Sequence, residues 1–445
     1  MRRLCYTLIM FILTAPLLAT TTAEIDKIVA TGAQLKKARK YEKAITAFKQ
    51  ALTIAPQHPS ALGHLAACYI MVGEIEKAFS TYRALLKINP KDNKVLYNIA
   101  CTLKIMGMMH EAASLYEKVI AIDPDYHMAH IGLAKAYLAT GNFKRGWEEF
   151  EWRYDNPKKF RQPKRDLAEF VGKKVLVRSE WGLGDTMQFF RYTQLLKQAG
   201  ATVIVETFAP LIQLFSLCDY VDLVTNINEK TKPGYDIQIP MLSLPMIFDT
   251  TEETIPINIP YLQADQNLVD YWHKQLKTSE PVIKIGLCWQ AKQNIFVEKQ
   301  PRTRRSILLQ QFAPLAQVDN VVFYSLQQQN GIDQLDNLPE GFIVQTFDTD
   351  FDKTHGRFMD SAAVIKNLDL VISVDTSIVH LAGALGTDVW VLLPHSAEWR
   401  WMLNRSDTPW YPNMRLFRQP KPGDWLSVIN NIKHALEQFA EKRIK

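Results

Sequence analysis

Two short loops carry residues whose types and spacing suit work on a phosphate-bearing ligand. The first runs Glu180–Trp181–Gly182–Leu183–Gly184–Asp185–Thr186, between the strand-like KKVLVRS and the helix-like TMQFFRYTQLLKQAG. Gly182 and Gly184 let the backbone turn sharply and come close to a ligand. Asp185 then stands at the helix start. There it can take a proton from an acceptor hydroxyl, or form a capping box with Gln188 three residues on. The second loop, Val374–Asp375–Thr376–Ser377, leads directly into the helix-like SIVHLAGALG. A helix N-terminus offers unpaired N–H groups and partial positive charge to a phosphate. Thr376 and Ser377 add hydroxyls, which serve a ligand or simply cap the helix. His380 lies one turn further on, as a structural imidazole or as a group facing the same cleft. A third, basic stretch comprises Trp289–Gln290–Ala291–Lys292 and then Arg302, Arg304, Arg305 and Ser306. Lys292, just after a strand, is expected to reach the cleft. The arginines either clamp a diphosphate or form a solvated loop.

These loops need a scaffold, and the surrounding pattern supplies one. From Lys173 onward, short apolar runs alternate with amphipathic ones. KKVLVRS, ATVIVE and VDLVTN read as strands of a first unit. VIKIGLCWQ, NVVFYSLQ, FIVQTF, LDLVISV and DVWVLLP read as strands of a second. SILLQQFAPLAQ, SAAVIKN and a last segment from Asp424 to about Lys442 read as helices. Such alternation argues for parallel sheets covered on both faces, and ligands of such sheets bind outside the carboxyl ends of the strands. A dinucleotide fingerprint is incomplete, because the third glycine it needs is Met187. Glu206, ending the next strand, does occupy the place of a ribose-binding acid, which keeps a nicotinamide or flavin enzyme as an alternative.

Residues 24–157 follow another rule. Pro56, Pro90 and Pro124 recur every 34 residues, as do Ala44, Ala78 and Ala112; Phe48, Tyr82 and Tyr116; and Gly73, Gly107 and Gly141. Gly32, Ala66, Ala100 and Ala134 supply small residues where paired helices touch. The period and pattern resemble the tetratricopeptide repeat. That resemblance implies a solenoid whose concave face takes a protein or peptide partner, or a spacer arm. The pattern diverges after Phe150 into EWRYDNPKKF, as in a capping unit that joins the next domain. Pro163–Val171 reads as a polar connector.

Composition narrows the classes. The apolar fraction of 47% and charged fraction of 22% are those of a globular chain. The net charge of +6 comes from scattered basic residues, so nucleic-acid binding is not expected. The five cysteines show no close metal-ligand spacing, and no acidic pair stands on either loop, so no metal is expected. Arg2 and Arg3, the apolar run Leu4–Leu18 and the small residues Thr21 and Ala23 describe a secretory signal or an N-terminal anchor. Membrane contact is expected only there. A working signal would place the remainder in the periplasm or at the inner membrane; otherwise the chain is cytoplasmic.

Taken together, GNFKRGWEEFEWRY (Gly141–Tyr154), GLGDTMQFFRY (Gly182–Tyr192), WQAK (Trp289–Lys292), RRS (Arg304–Ser306), VDTSIVHLAGALG (Val374–Gly386), EWRWML (Glu398–Leu403) and SDTPWYPNMRLFRQ (Ser406–Gln419) resemble a bacterial group. Its members join tetratricopeptide repeats to a two-lobed GT-B glycosyltransferase domain similar to the ADP-heptose:lipopolysaccharide heptosyltransferases. The resemblance implies a multidomain α plus α/β chain: residues 1–23 a signal or anchor, 24–157 repeats, and 172–264 and 281–445 two Rossmann-like lobes. It implies transfer from a nucleotide-sugar donor without cofactor or metal. Asp185 would be the general base. Gly182, Gly184, Lys292, Arg304, Arg305, Asp375, Thr376, Ser377 and His380 would hold the donor. Trp181 departs from the smaller or polar residue common at its place. The alternative is a non-catalytic repeat scaffold with a degenerate GT-B domain.

Overall fold

The computed structural model describes residues 22–154, 165–291 and 304–444. They fall into two compact units that divide at Gly132/Leu133. Of the segment read as a signal or anchor, residues 1–21 lie outside the described residues, as do Pro163 and Lys164 of the connector, Lys292 and Arg302. No helix among the described residues is long and apolar enough to cross a membrane.

The first unit is a row of helices, α1 (22–37), α2 (Tyr41–Ile54), α3 (Pro59–Met71), α4 (Ile75–Ile88), α5 (Asn93–Ile105) and α6 (Met109–Ile122), followed by α7 (His127–Ala139), which begins in this unit. From α2 to α6 each packs on the next. The period seen in the sequence has a packing cause. Ala44, Ala66, Ala78, Ala100 and Ala112 are fully buried, as are Phe48 and Tyr116, and a Cβ on Gly32 would meet the Phe48 ring at 2.6 Å. Gly73 and Gly107 hold φ of 84° and 83°, the left-handed conformation that ends α3 and α5. Pro56, Pro90 and Pro124 each stand two residues beyond the end of α2, α4 and α6.

The second unit contains two wholly parallel sheets. The smaller has the order β3-β2-β1-β4, from β1 (Lys174–Arg178), β2 (Thr202–Thr207), β3 (Leu223–Asn226) and β4 (Ile237–Pro240). The larger has the order β10-β9-β8-β5-β6-β7, from β5 (Ile283–Cys288), β6 (Val321–Ser325), β7 (Val344–Gln345), β8 (Leu370–Val374), β9 (Val389–Leu393) and β10 (Met414–Arg418). In each, the direction of strand addition reverses once, beside β1 and between β5 and β8. Open α/β sheets bind ligands at such switch points. The glycine loop leaves β1; the Trp289–Gln290 and Asp375–Ser377 segments leave β5 and β8.

Three elements differ from their sequence readings. TMQFFRYTQLLKQAG is two helices, α9 (Leu183–Phe189) and α10 (Tyr192–Gln198), and α9 begins inside the glycine loop. SILLQQFAPLAQ is a 3₁₀ segment, Leu309–Gln317, because Pro314 within it lacks the N–H that an α-helix needs. Helix α8 (Phe143–Phe150), read as the close of the repeats, packs in the α/β unit. Its Trp147 is 2% exposed, ringed by Phe189, Trp399 and Trp410 at 5.6–6.2 Å. Its indole N–H donates to the Thr250 carbonyl at 3.0 Å.

Candidate active site

The turn after β1 is tight. Trp181 takes φ of 59°, and Gly182 caps α9 in extended conformation. Asp185 is therefore the third residue of the helix and not its cap. Its Oδ2 accepts the Gly182 N–H at 3.2 Å, so the reciprocal partner is the glycine backbone and not Gln188. Oδ1 of Asp185 pairs with Arg400. Arg400 lies on the short helical turn Trp399–Trp401, is 7% exposed, and donates from Nε to Gln188 Oε1 at 2.8 Å.

The second loop meets the first here. Helix α9 packs on α15 (Ser377–Leu385), the helix after β8, counting α11 (Ile212–Ser216), α12 (Leu244–Ile247), α13 (Gln266–Gln275) and α14 (Met359–Lys366) between them. A Cβ on Gly184 would stand 2.8 Å from His380 Cδ2 and 3.5 Å from Ser377 Cα. Gly184 is thus required by the approach of two helix starts. His380 lies beneath them, 3% exposed, with Nδ1 2.9 Å from the Tyr411 hydroxyl and its ring stacked on Trp401. Burial, and then the charges of Arg400, Arg191 and Arg305, push its pKa well below the ordinary 6.5. It is a neutral imidazole and brings no positive charge to a ligand.

Beside this junction, Gln290, Arg305, Gln327, Arg357, Thr376 and Ser377 line an open pocket at the ends of β5 and β8. Thr376 caps α15, its hydroxyl accepting the Ile378 N–H at 3.3 Å. The Ser377 hydroxyl makes no hydrogen bond within the described residues, which leaves it for a ligand. Arg305 Nη1 donates to the Asp375 carbonyl at 3.2 Å and lies 3.7 Å from its carboxylate. Asp375 is 3% exposed, lines the same pocket and holds Arg305 there. Arg304 is exposed and does not line the pocket. Lys292 lies outside the described residues.

Three residues were missed by sequence reasoning. Arg357 sits in irregular chain with no motif around it. Arg400, in the quoted EWRWML segment, showed only a cation flanked by tryptophans. Gln327, buried, accepts the N–H groups of Trp289 and Gln290 at 3.1 and 2.9 Å and donates to the Gln290 and Asn330 carbonyls, fixing the turn after β5. Glu206 is buried and already paired with Arg178 and Lys232, so no free carboxylate is left there for a ribose. Among the described residues no three His, Cys, Asp or Glu side chains are grouped to hold a metal.

The neutral His380 gives a pH signature. Its depressed folded pKa means that the unfolded chain binds the proton more readily. The stabilisation is present above 6.5 and is lost as pH falls below that value toward the folded pKa. Chemical denaturation is expected to show a loss of up to about 1.4 kcal/mol per pH unit in that window from this one group. His380→Gln, which can still bond Tyr411, should flatten the slope; an unchanged slope would assign it to other groups.

The family-model match falls mainly in the first unit. A tetratricopeptide-repeat family model matches residues 35–98 and 105–146. Protein FlbA of Caulobacter vibrioides is 26% identical over 342 residues, covering 71% of this chain and 56% of FlbA. The chain thus spans about half the length of that relative. MamA from Desulfovibrio magneticus RS-1 is 19% identical over 28% of this chain and 71% of that one, with a TM-score of 0.28. A tetratricopeptide repeat protein from Parabacteroides merdae is 22% identical over 29% of this chain and 50% of its own, with a TM-score of 0.28. The amino-terminal helices are tetratricopeptide repeats, the class of solenoid that binds protein partners. The carboxy-terminal region is α/β with parallel sheets.

Proposed function

We propose that the α/β unit is a metal-independent GT-B glycosyltransferase, moving a sugar from a nucleotide-sugar donor to a protein or peptide acceptor recruited by the repeats. The observation that carries this reading is the seating of Gly184 on Ser377 and His380, beside a pocket holding Arg305, Arg357 and the α15 N-terminus. The acceptor oxygen attacks the anomeric carbon while the bond from that carbon to the diphosphate breaks. The negative charge gathering on the diphosphate falls to Arg305, Arg357, the Ser377 hydroxyl and the helix N–H groups. The acceptor proton passes to Asp185.

Two contacts favour the alternative, a binding scaffold without chemistry: Asp185 is held by Arg400 and by the Gly182 N–H. In the catalytic reading Arg400 orients the carboxylate, and Oδ2, which accepts one N–H at 3.2 Å, takes the proton. Asp185→Asn separates the two. The variant should still bind the donor nucleotide and lose transfer by roughly 10²–10⁴-fold, the usual contribution of a general base. A variant that turns over the donor as fast as the parent would remove Asp185 from the chemistry. Residues 1–23 would set the compartment, exported if they act as a signal and cytoplasmic otherwise; sequencing the mature N-terminus decides this.

A further inference from the structure

Beneath the meeting of the two loops, a buried chain of hydrogen bonds runs from Arg191 to His380. Arg191 donates from Nε to the Gln188 carbonyl at 2.9 Å and from Nη1 to the Pro256 and Trp410 carbonyls. Its Nη2 donates to the Tyr261 hydroxyl at 3.1 Å. The Tyr261 and Tyr411 hydroxyls stand 3.2 Å apart, and the Tyr411 hydroxyl lies 2.9 Å from His380 Nδ1. All four side chains are buried. Gly383 makes the last contact possible. A Cβ there would stand 2.7 Å from Tyr411 Cδ1, so the bare backbone lets the ring lie against α15 and reach the imidazole one turn back.

The chemistry of the ends fixes the direction of the chain. A guanidinium has only donors, and each tyrosine hydroxyl has one proton to place. Arg191 takes an acceptor position on Tyr261. Among the described residues the Tyr261 proton then has one acceptor, the Tyr411 oxygen. The Tyr411 proton is left with Nδ1 of His380. Burial holds the Tyr411 hydroxyl well above the ordinary pKa of 10, so the proton stays on it. The opposite order, with Nδ1–H donating to Tyr411, would strand the Tyr261 proton in a buried site, an unmade bond that folded proteins avoid. Nδ1 is therefore an acceptor, and the one proton of the neutral imidazole sits on Nε2. Nε2 bonds nothing among the described residues. It lies on the ring edge turned toward Gly184, where a Cβ would stand 3.5 Å from it.

We propose that Arg191, Tyr261 and Tyr411 are positioning residues that fix His380 as its Nε2–H tautomer, so that the junction of Gly184 with Ser377 carries an uncharged N–H donor. This N–H joins the Ser377 hydroxyl and the α15 N–H groups in holding an oxygen of a bound nucleotide. That role rests on the donor-site reading; the tautomer is a property of the fold without ligand. An uncharged donor fits the place, because Arg400, Arg191 and Arg305 already bring positive charge to His380 and oppose another cation there.

The test is nitrogen NMR of the full chain labelled with nitrogen-15 at histidine, at a pH well above 6.5, with the His380 signals identified by their loss in His380→Gln. In the free protein Nε2 should be the protonated, pyrrole-type nitrogen and Nδ1 the bare, pyridine-type one. Tyr411→Phe keeps the ring and removes the hydroxyl, so an Nδ1–H form should appear beside the first. A proton on Nδ1 in the parent, or no Nδ1–H form in Tyr411→Phe, would overturn the proposal. Should that variant fail to fold, the parent spectrum decides by itself. ADP, GDP and UDP are then added singly at millimolar concentration, and a nucleotide that binds should shift the Nε2 signal. Binding that leaves this signal in place would remove His380 from the donor site while the glycosyltransferase reading stands. If none of the three binds, that reading and the role in holding a nucleotide fall together, and the spectrum of the free protein still decides the tautomer.

Discussion

Trp147→Ala is expected to destabilise the α/β unit by about 3–5 kcal/mol, the range for truncating a fully buried tryptophan. The indole fills the centre of an aromatic cluster with Phe150, Phe189, Trp399 and Trp410, and its N–H satisfies the Thr250 carbonyl. Removing it opens a cavity among rigid rings that cannot close over the gap, and orphans a buried carbonyl. Urea denaturation followed by tryptophan fluorescence should show the midpoint fall at unchanged slope. A loss under about 1 kcal/mol would mean that α8 does not belong to this core. The same contacts decide where the chain can be divided. A chain begun near Arg165, at the polar connector, lacks Phe143, Trp147 and Phe150, and should be insoluble instead of an independent nucleotide-binding domain. A chain begun before α8 keeps them.

Arg153→Met should have an effect of similar size, about 3–5 kcal/mol, because removing one partner strands a buried charge. The Arg153 side chain is 1% exposed, with Glu151 at 2.7 Å, Glu180 at 2.8 Å and the Ser243 hydroxyl at 2.7 Å. Methionine keeps most of the volume, so the loss reports the charge and not the packing. Glu180 begins the glycine loop, so the defect should also reach donor binding. Replacing Glu151 by Gln in the same background should recover part of the stability, since one of the two stranded charges is then removed. Failure to recover any would show that the damage is steric.

The two variants mark the limit of what the chain made legible. The 34-residue period and the parallel-strand runs could be read because each rests on local repetition: a small residue at every helix crossing, an apolar run for every doubly covered strand. The two loops could be read because glycines and a helix start leave a local mark. Their meeting could not, since Gly184 and Ser377 stand 193 positions apart, as counted from the sequence, and nothing near either names the other. Arg400 stayed silent for the same reason: its partners Asp185 and Gln188 lie on another sheet's helix. Asp185, read as a cap, stands three positions past the cap, because the left-handed Trp181 closes the turn early and starts α9 at Leu183. Helix α8 was assigned by its periodic Gly141, yet its aromatic face obeys the α/β core. Around Pro314 the apolar spacing reads as an α-helix, while the missing N–H holds the segment in 3₁₀ form.

The central claim is that the two loops form a donor site for a nucleoside diphosphate sugar. Calorimetric titration of the full chain with nucleoside diphosphates tests it most directly. At least one nucleotide should bind, and Arg305→Ala and Ser377→Ala should each weaken it, by about tenfold for the arginine. At one hundred times its dissociation constant that nucleotide should stabilise the fold by about 2.7 kcal/mol. If no nucleoside diphosphate binds at millimolar concentration, or if binding is indifferent to both substitutions, the account of this site is wrong.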